Sequence, residues 1–415
     1  MTHCRFEDRL AGQARVLSGV RGRITARTAA ELPAAFSAIQ TAQDAGHWIA
    51  LMLDYELGEW LEPSLQVTSR TSTPPASIGA QPASQGASKA TQQARSRLTA
   101  LVFDSATIEK PWGSGGIAES ETDSAVINSA VTNAATTPAA ITSVAASLSQ
   151  EDYFERIHKI KEWIAQGEVY QINSTFALNV STQGPAQALY RQLAQQHPSA
   201  HAAFIEDEEQ TVLSFSPELF LQRTGTTLTT RPMKGTAPRS TDPLEDRQLG
   251  QRLQASEKDR AENLMIVDLL RNDLGRIALP GTVIAKPLFS LEAYPSVWTM
   301  TSTIQATIAA HTSLEQILRA LFPCGSVTGA PKIAAMKGIQ QTEAQSRGLY
   351  CGSLGWLAPN GDFSLNVAIR TLLLNQDGTG QYHVGGGIVN DSVAELEWNE
   401  CHWKARIVID RPATT

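Results

Sequence analysis

Lys234, in the stretch TTRPMKGTAPR (Thr229 to Arg239), lies between Met233 and Gly235 at the end of a strand-like run. A solvated lysine at a turn is the ordinary reading. An uncharged lysine in a desolvated pocket is instead a nucleophile. Glu218, in SFSPELF, follows Ser216-Pro217 in an apolar setting, and a carboxyl desolvated there stays protonated and can act as a general acid. Glu397, Glu400 and Lys404 recur at i, i+3 and i+7 in AELEWNECHWKARIVI, along one helical stripe. With Glu262 of KDRAENLMIVDLLRNDLG they offer the hard oxygen ligands that Mg²⁺ takes alongside water and an anionic substrate. From spacing alone, a solvated helix face with a Glu400–Lys404 pair is the commoner outcome.

Two glycine motifs bring backbone toward a ligand. FPCGSVTGAPKIAAM places Gly325 and Gly329 just before Pro331, a first helical position, where exposed N–H groups can grip a carboxylate. The G-x-x-x-x-G-K-[ST] pattern of a nucleotide loop is absent. Gly385, Gly386 and Gly387 follow the strand-like QYHV, where a ligand's close approach or a bulge explains them equally. Arg370, inside the apolar SLNVAIRTLLL, needs a counter-anion, either a structural partner or a carboxylate held in two-pronged fashion.

These side chains must be carried by mixed elements. Thr28-Ala-Ala-Glu31 reads as a capping box opening a helix with Leu32, Phe36 and Ile39 on one face. The apolar run Trp48 to Pro63 suits a buried strand. Ser149 caps a helix with Phe154, Ile157, Ile160 and Ile164 in a stripe, stopped by Gly167. Alternating runs such as VLSFSPELFLQ and TLTTRPMKG predict antiparallel hairpins. Helices are predicted over about 258–274, 312–321 and 331–341. Such a mixture indicates an α+β fold of antiparallel sheets packed with helices. Segments at about 64–97 and 105–147 are poor in large apolar residues and read as surface insertions. They divide an N-terminal α+β segment, 1–148, from a catalytic domain, 149–415.

Composition narrows the function. With 415 residues and 42% apolar content the chain can bury a large core. No run of about eighteen apolar residues occurs, and MTHCRFEDRLAGQARV has no signal-like stretch, so a cytoplasmic protein without membrane association is expected. Cys4, Cys324, Cys351 and Cys401 lie too far apart for a zinc or disulfide framework. A formal charge of -7 without a basic cluster argues against a nucleic-acid partner.

GEVYQINSTF, SFSPELF, TTRPMKGTAPR, KDRAENLMIVDLLRNDLGR, FPCGSVTGAPKIAAM, RGLYCGSLGW, NVAIRT, GGGIVNDS and ELEWNECHWK occur in the order found in the chorismate-utilising enzymes. The chain resembles that family densely from about residue 150 to 410, and more faintly over Trp48 to Pro63. The resemblance implies an anthranilate synthase component I-like fold with chorismate as substrate. Family members that add water carry a lysine base where Gln171 stands, so the resemblance implies an ammonia user. Lys234 matches the lysine of the PIKGT motif in the aminodeoxychorismate-forming branch, where the anthranilate-forming branch has alanine. By that match Lys234 attacks C2 of chorismate as the C4 hydroxyl departs, assisted by protonated Glu218, and ammonia then adds at C4 and expels the lysine.

Mg²⁺ held by Glu262, Glu397 and Glu400 is implied to anchor the ring carboxylate. Tyr350, Arg370, Gly385, Gly386, Gly387 and Lys404 match positions that bind the substrate carboxylates, and Thr328 and Gly329 match the loop beside the ring. One position departs: VWTMTS has Thr299 where many relatives carry a histidine associated with pyruvate elimination. Its absence fits a product that keeps its enolpyruvyl group, 4-amino-4-deoxychorismate, on the way to 4-aminobenzoate and folate. No segment resembles a glutamine amidotransferase, so ammonia is expected from a separate glutaminase subunit or from free ammonium. The alternatives are an anthranilate synthase component I and a catalytically silent subunit that binds chorismate or tryptophan. Lys234, Glu218 and the acidic positions occurring together oppose the silent reading.

Overall fold

The computed structural model describes residues 2–65, 95–113, 139–294 and 297–409. The expected insertions therefore fall mostly on 66–94 and 114–138, outside the described residues. Among the described residues, seventeen strands join into one sheet and three form another, with helices packed against them. The strand pairings are antiparallel, as alternating runs without βαβ periodicity require. This is the α+β architecture expected.

Gln171–Gln183 is the strand around which the site is built. It is buried on both faces for most of its length. One edge pairs with Thr379–Ile388, and the other meets Gly329–Ala330 near its start and Ala140–Ala146 near its end. Strands from the first part of the chain enter the same sheet: His3–Asp8 pairs with His201–Glu206, and Trp48–Leu53 lies between Leu98–Glu109 and Ser353–Leu357. The smaller sheet orders Met233–Pro238, Val297–Thr301 and Ser290–Ala293 and carries Lys234. Arg231 ends the larger sheet's ladder and Met233 opens the smaller one's, so the chain changes sheets at Pro232.

Several local readings hold. The Ser149 hydroxyl accepts from Asp152 N at 3.1 Å and opens helix Gln150–Ala165, whose Ile157 and Ile160 are buried. Gly167 follows at φ +77, a left-handed conformation that glycine adopts without strain. Other readings change. The apolar run from Trp48 is a strand only to Leu53, and Leu57–Leu61 is helical. Past the strand, Asp54 N and Tyr55 N bond Arg97 O and Gly348 O, and the Glu56 carboxylate reaches the same distant loop, accepting from Arg347 N at 2.6 Å and Gly348 N at 3.1 Å. The Thr28 side chain makes no cap, since Glu31 accepts from Arg27 N instead. Leu98–Glu109 and Ala140–Ala146 carry strand into stretches whose composition suggested insertion, because backbone ladders to Gln13–Ala26 and Gln171–Gln183 extend them beyond their few core-packed apolar side chains.

Arg347 is 2% exposed and ties these parts together. It binds both oxygens of Glu343 at 2.7 and 2.8 Å, donates to Asn173 O at 2.7 Å and Val327 O at 3.1 Å, and lies 4.5 Å from the Tyr55 ring centroid. Arg347→Met leaves the Glu343 carboxylate buried without its cation. It is expected to lower unfolding free energy by about 3–5 kcal/mol in urea titrations. Adding Glu343→Gln should recover part of that loss.

Candidate active site

Lys234 is aimed by a bulge. Met233 pairs with Thr301 and Thr236 with Thr299, so Lys234 and Gly235 together face a single partner residue. Gly235 sits at φ +88, which explains a glycine directly after the lysine. A methyl group placed on Gly387 would stand 3.1 Å from Lys234 Nζ and 2.9 Å from Gln171 Nε2, so both nitrogens converge on the bare glycine backbone. Gln171 is fully buried, and neither its Oε1 nor its Nε2 has a hydrogen-bond partner among the described residues. A buried amide with both ends unpaired costs stability and is a group waiting for a ligand.

Glu218 occupies the turn between Thr211–Ser216 and Leu219–Thr224 and is 4% exposed. Its N–H donates to Ser216 Oγ at 3.2 Å, its carbonyl accepts from Val367 N at 3.0 Å, and its Oε1 accepts from Ser326 Oγ at 2.7 Å. Burial pushes the carboxyl up to about 7, against the opposing pull of Ser326, Lys234, the Met233 N–H and Arg370. The carboxyl is thus held well above its usual range by burial, and Lys234 is one of the cations that act on it.

The glycine run is straight strand. Gly385, Gly386 and Gly387 pair with Thr175, Ser174 and Asn173 without a register shift, which removes the bulge reading. A methyl on Gly386 would lie 3.0 Å from Glu397 Oε2, 3.9 Å from Lys404 Nζ and 4.0 Å from Glu400 Oε1. Helix Ala394–Lys404 therefore meets the run at Gly386, the residue next to the glycine that Lys234 approaches. Glu397 Oε1 accepts from Ser392 Oγ at 2.7 Å, and its carboxyl is raised by burial and by Glu400. Lys404 bonds Glu400 at 2.7 Å and Gly385 O at 2.8 Å, and holds the Glu400 carboxyl below its usual range. The intrahelical pair and a site-facing stripe are thus both present.

Glu397 and Glu400 are hard oxygen donors, and two carboxylates completed by water and substrate oxygens suit Mg²⁺. No group of three or more His, Cys, Asp or Glu residues placed to hold a metal forms among the described residues. Glu262 is half-buried on helix Glu257–Gly275, on the flank of the buried face of Asn263, Ile266, Val267 and Leu270.

The remaining residues surround this centre. Arg370 adopts φ +50, a strained conformation for a side-chain-bearing residue, and makes no ion pair among the described residues. Tyr350 is buried and stacks on His383 with ring centroids 5.2 Å apart. Thr328 is buried, with Oγ1 on Cys324 O at 2.8 Å. Gly329 fits only as glycine, because a methyl there would meet Gln171 O at 2.2 Å and its φ is +134. Thr299 lies buried on the strand paired with that of Lys234. Ser326, Ser392 and Arg347 hold the acidic groups and the loop, yet residue type and spacing alone do not reveal them. Each lies inside a quoted motif, but its role depends on a contact made across the fold.

A family model described as chorismate binding enzyme matches residues 3–410. Aminodeoxychorismate synthase component 1 of Klebsiella aerogenes is 42% identical over 264 residues, which is 64% of this chain and 58% of that one. Anthranilate synthase component 1 of Streptomyces coelicolor is 37% identical over 265 residues, 64% of this chain and 52% of that one. The chain therefore spans between half and three-fifths of the length of these curated relatives. The crystal structure of a putative 2,3-dihydroxybenzoate-specific isochorismate synthase from Bacillus anthracis superposes with a TM-score of 0.71 at 20% identity, over 99% of this chain and 95% of that one. That likeness is one of fold. A match over nearly the whole chain, on a fold shared with such enzymes, places this protein in the chorismate binding enzyme family.

Proposed function

We propose that the chain is an aminodeoxychorismate synthase component I, forming 4-amino-4-deoxychorismate from chorismate and ammonia. The observation that carries the reading is the convergence of Lys234 Nζ and Gln171 Nε2 on Gly387, beside a Glu218 carboxyl raised to about 7. In the first step the Lys234 nitrogen bonds to C2, both ring double bonds shift, to C1=C6 and C4=C5, and the C4–O bond breaks. The oxygen leaves as water with the Glu218 proton, since hydroxide alone leaves poorly. In the second step ammonia bonds to C4, both double bonds shift back, and the C2–N bond to Lys234 breaks.

Mg²⁺, when bound, would neutralise and orient the ring carboxylate. Glu397 and Glu400 would hold it, with Glu262 a further proposed ligand. Arg370, Tyr350, Lys404 and the amides of Gly385, Gly386 and Gly387 are proposed to hold the carboxylates, with Thr328 and Gly329 beside the ring. Gln171, fully buried, would meet ammonia or the ring rather than serve as a base for water. The name "component 1" borne by relatives supports a partner subunit, which we propose to be a glutamine amidotransferase supplying ammonia. The product would feed 4-aminobenzoate and folate synthesis. No helix among the described residues is long and apolar enough to cross a membrane, and a cytoplasmic location is proposed.

Product analysis tests the reading. With chorismate, ammonium and Mg²⁺, the expected product is aminated and keeps its enolpyruvyl group, with no pyruvate released. Anthranilate with pyruvate would establish the chemistry named for the Streptomyces relative. Unconsumed chorismate would leave a silent binding subunit.

Gly387→Ala gives a separate check. The atoms nearest the added methyl are the amide end of Gln171 and Lys234 Nζ, the far ends of flexible side chains, so stability should change by no more than about 1 kcal/mol. Displacing both nitrogens should lower kcat/KM for chorismate at least about tenfold. Steady-state kinetics and thermal melts on the same preparation measure both.

A further inference from the structure

We propose that Ser326 is a positioning residue for Glu218: its hydroxyl fixes Oε1, leaving Oε2 to carry the proton delivered to the leaving oxygen. The inference rests on Glu218 being the acid in the reaction above. Three features of the fold support it.

Ser326 does not meet Glu218 by chance of a loose loop. Its short helical turn, Gly325–Val327, packs so closely on helix Glu257–Gly275 that a methyl on Gly325 would stand 2.5 Å from Leu269. Thr328 Oγ1 ties the turn to Cys324 O at 2.8 Å, and Thr328 O accepts from Asn173 N at 2.9 Å. The buried Arg347 guanidinium holds Val327 O at 3.1 Å. Ser326 is thereby fixed from three sides, while Ser216 and Val367 fix the Glu218 backbone independently.

Ser326 Oγ donates to Glu218 Oε1 at 2.7 Å. Behind it Cys324 Sγ lies 3.2 Å from the same serine oxygen, and burial pushes the thiol up to about 12, so it keeps its hydrogen and is able to donate to the serine. This row of three groups persists whether Glu218 is ionised or neutral, because Oε1 accepts in both forms.

The charged groups facing Glu218 are Lys234 and Arg370, with the Met233 N–H, and all favour the carboxylate. Ser326 acts in the same direction, against burial. Its donation therefore keeps the proton loose enough to leave near neutral pH. Removing it raises the carboxyl's proton affinity.

The test uses the full chain with ¹³C-labelled glutamate. The Glu218 carboxyl is identified as the signal lost in Glu218→Gln and titrated by NMR. In Ser326→Ala the Glu218 titration should move up by about one unit, the size of one hydrogen bond to a charged group. The alkaline limb of kcat/KM for chorismate should move with it, and Ser326→Thr should restore both. If Ser326→Ala does not fold, Ser326→Cys, close in shape and a far weaker donor, carries the same prediction. An unmoved Glu218 titration in a folded variant overturns the proposal, as does a Ser326→Thr shift equal to that of alanine. A titration that moves while the limb stays fixed keeps Ser326 on Glu218 but overturns its part in proton delivery. If the wild-type chain consumes no chorismate, the proposed function fails, and the titration alone decides whether Ser326 governs Glu218.

Discussion

Lys234→Ala is expected to lower formation of the aminated product about 10³-fold or more, while the protein melts close to the wild-type temperature. The lysine sits half-buried on a bulge of the smaller sheet and makes none of that sheet's ladder bonds through its side chain. Its loss removes the nucleophile and leaves the scaffold intact. Ammonia would then have to displace the C4 hydroxyl directly, without the division into two easier steps. Rapid-quench product analysis with ammonium measures the effect. The same product at wild-type rate from Lys234→Ala would remove the covalent role.

Glu218→Gln combines a loss of rate with a gain of stability. Glutamine fits the space and accepts from Ser326 but cannot deliver a proton, so turnover should fall about 10²–10⁴-fold. The stability effect depends on pH, and its sign follows from the raised carboxyl. Between about 4.5 and 7 the folded chain keeps a proton that the unfolded chain releases, so wild-type stability falls as pH rises through that window and then levels off. Glutamine removes this dependence. The variant should match wild type near pH 4 and exceed it by up to about 3 kcal/mol at pH 8, in urea unfolding. A pH-independent destabilisation would mean that Glu218 is not held as a buried acid.

Much of this site is readable from residue type and local order. Ser149 and Gly167 bound their helix, and the alternating runs on either side of Glu218 form antiparallel hairpins with His201–Glu206 and Thr227–Arg231, because these signals act within a few residues. Lys234 and Gln171, far apart in the sequence, meet at Gly387, and the charge of Lys234 acts on the Glu218 carboxyl. The features that escape prediction depend on contacts across the fold. Ser326 reaches Glu218 across 108 positions, and Arg347 reaches Asn173 across 174. The bulge at Lys234 is set by its pairing with Val297–Thr301. The helix Leu57–Leu61 replaces an expected strand just past Glu56, whose carboxylate reaches Arg347 and Gly348. Low-complexity composition likewise hides the strand Ala140–Ala146, which is held by its ladder to Gln171–Gln183 and by only two core-packed side chains, Ile141 and Val144.

The central claim is a bond between one lysine and the ring. Chorismate and Mg²⁺ supplied without ammonia should leave that bond trapped, and peptide mapping by mass spectrometry can locate it. The account predicts an adduct of chorismate less one water on the peptide carrying Lys234, absent from Lys234→Ala and discharged by added ammonium. Amination of chorismate at full rate with Lys234 unmodified at every quench time would contradict it.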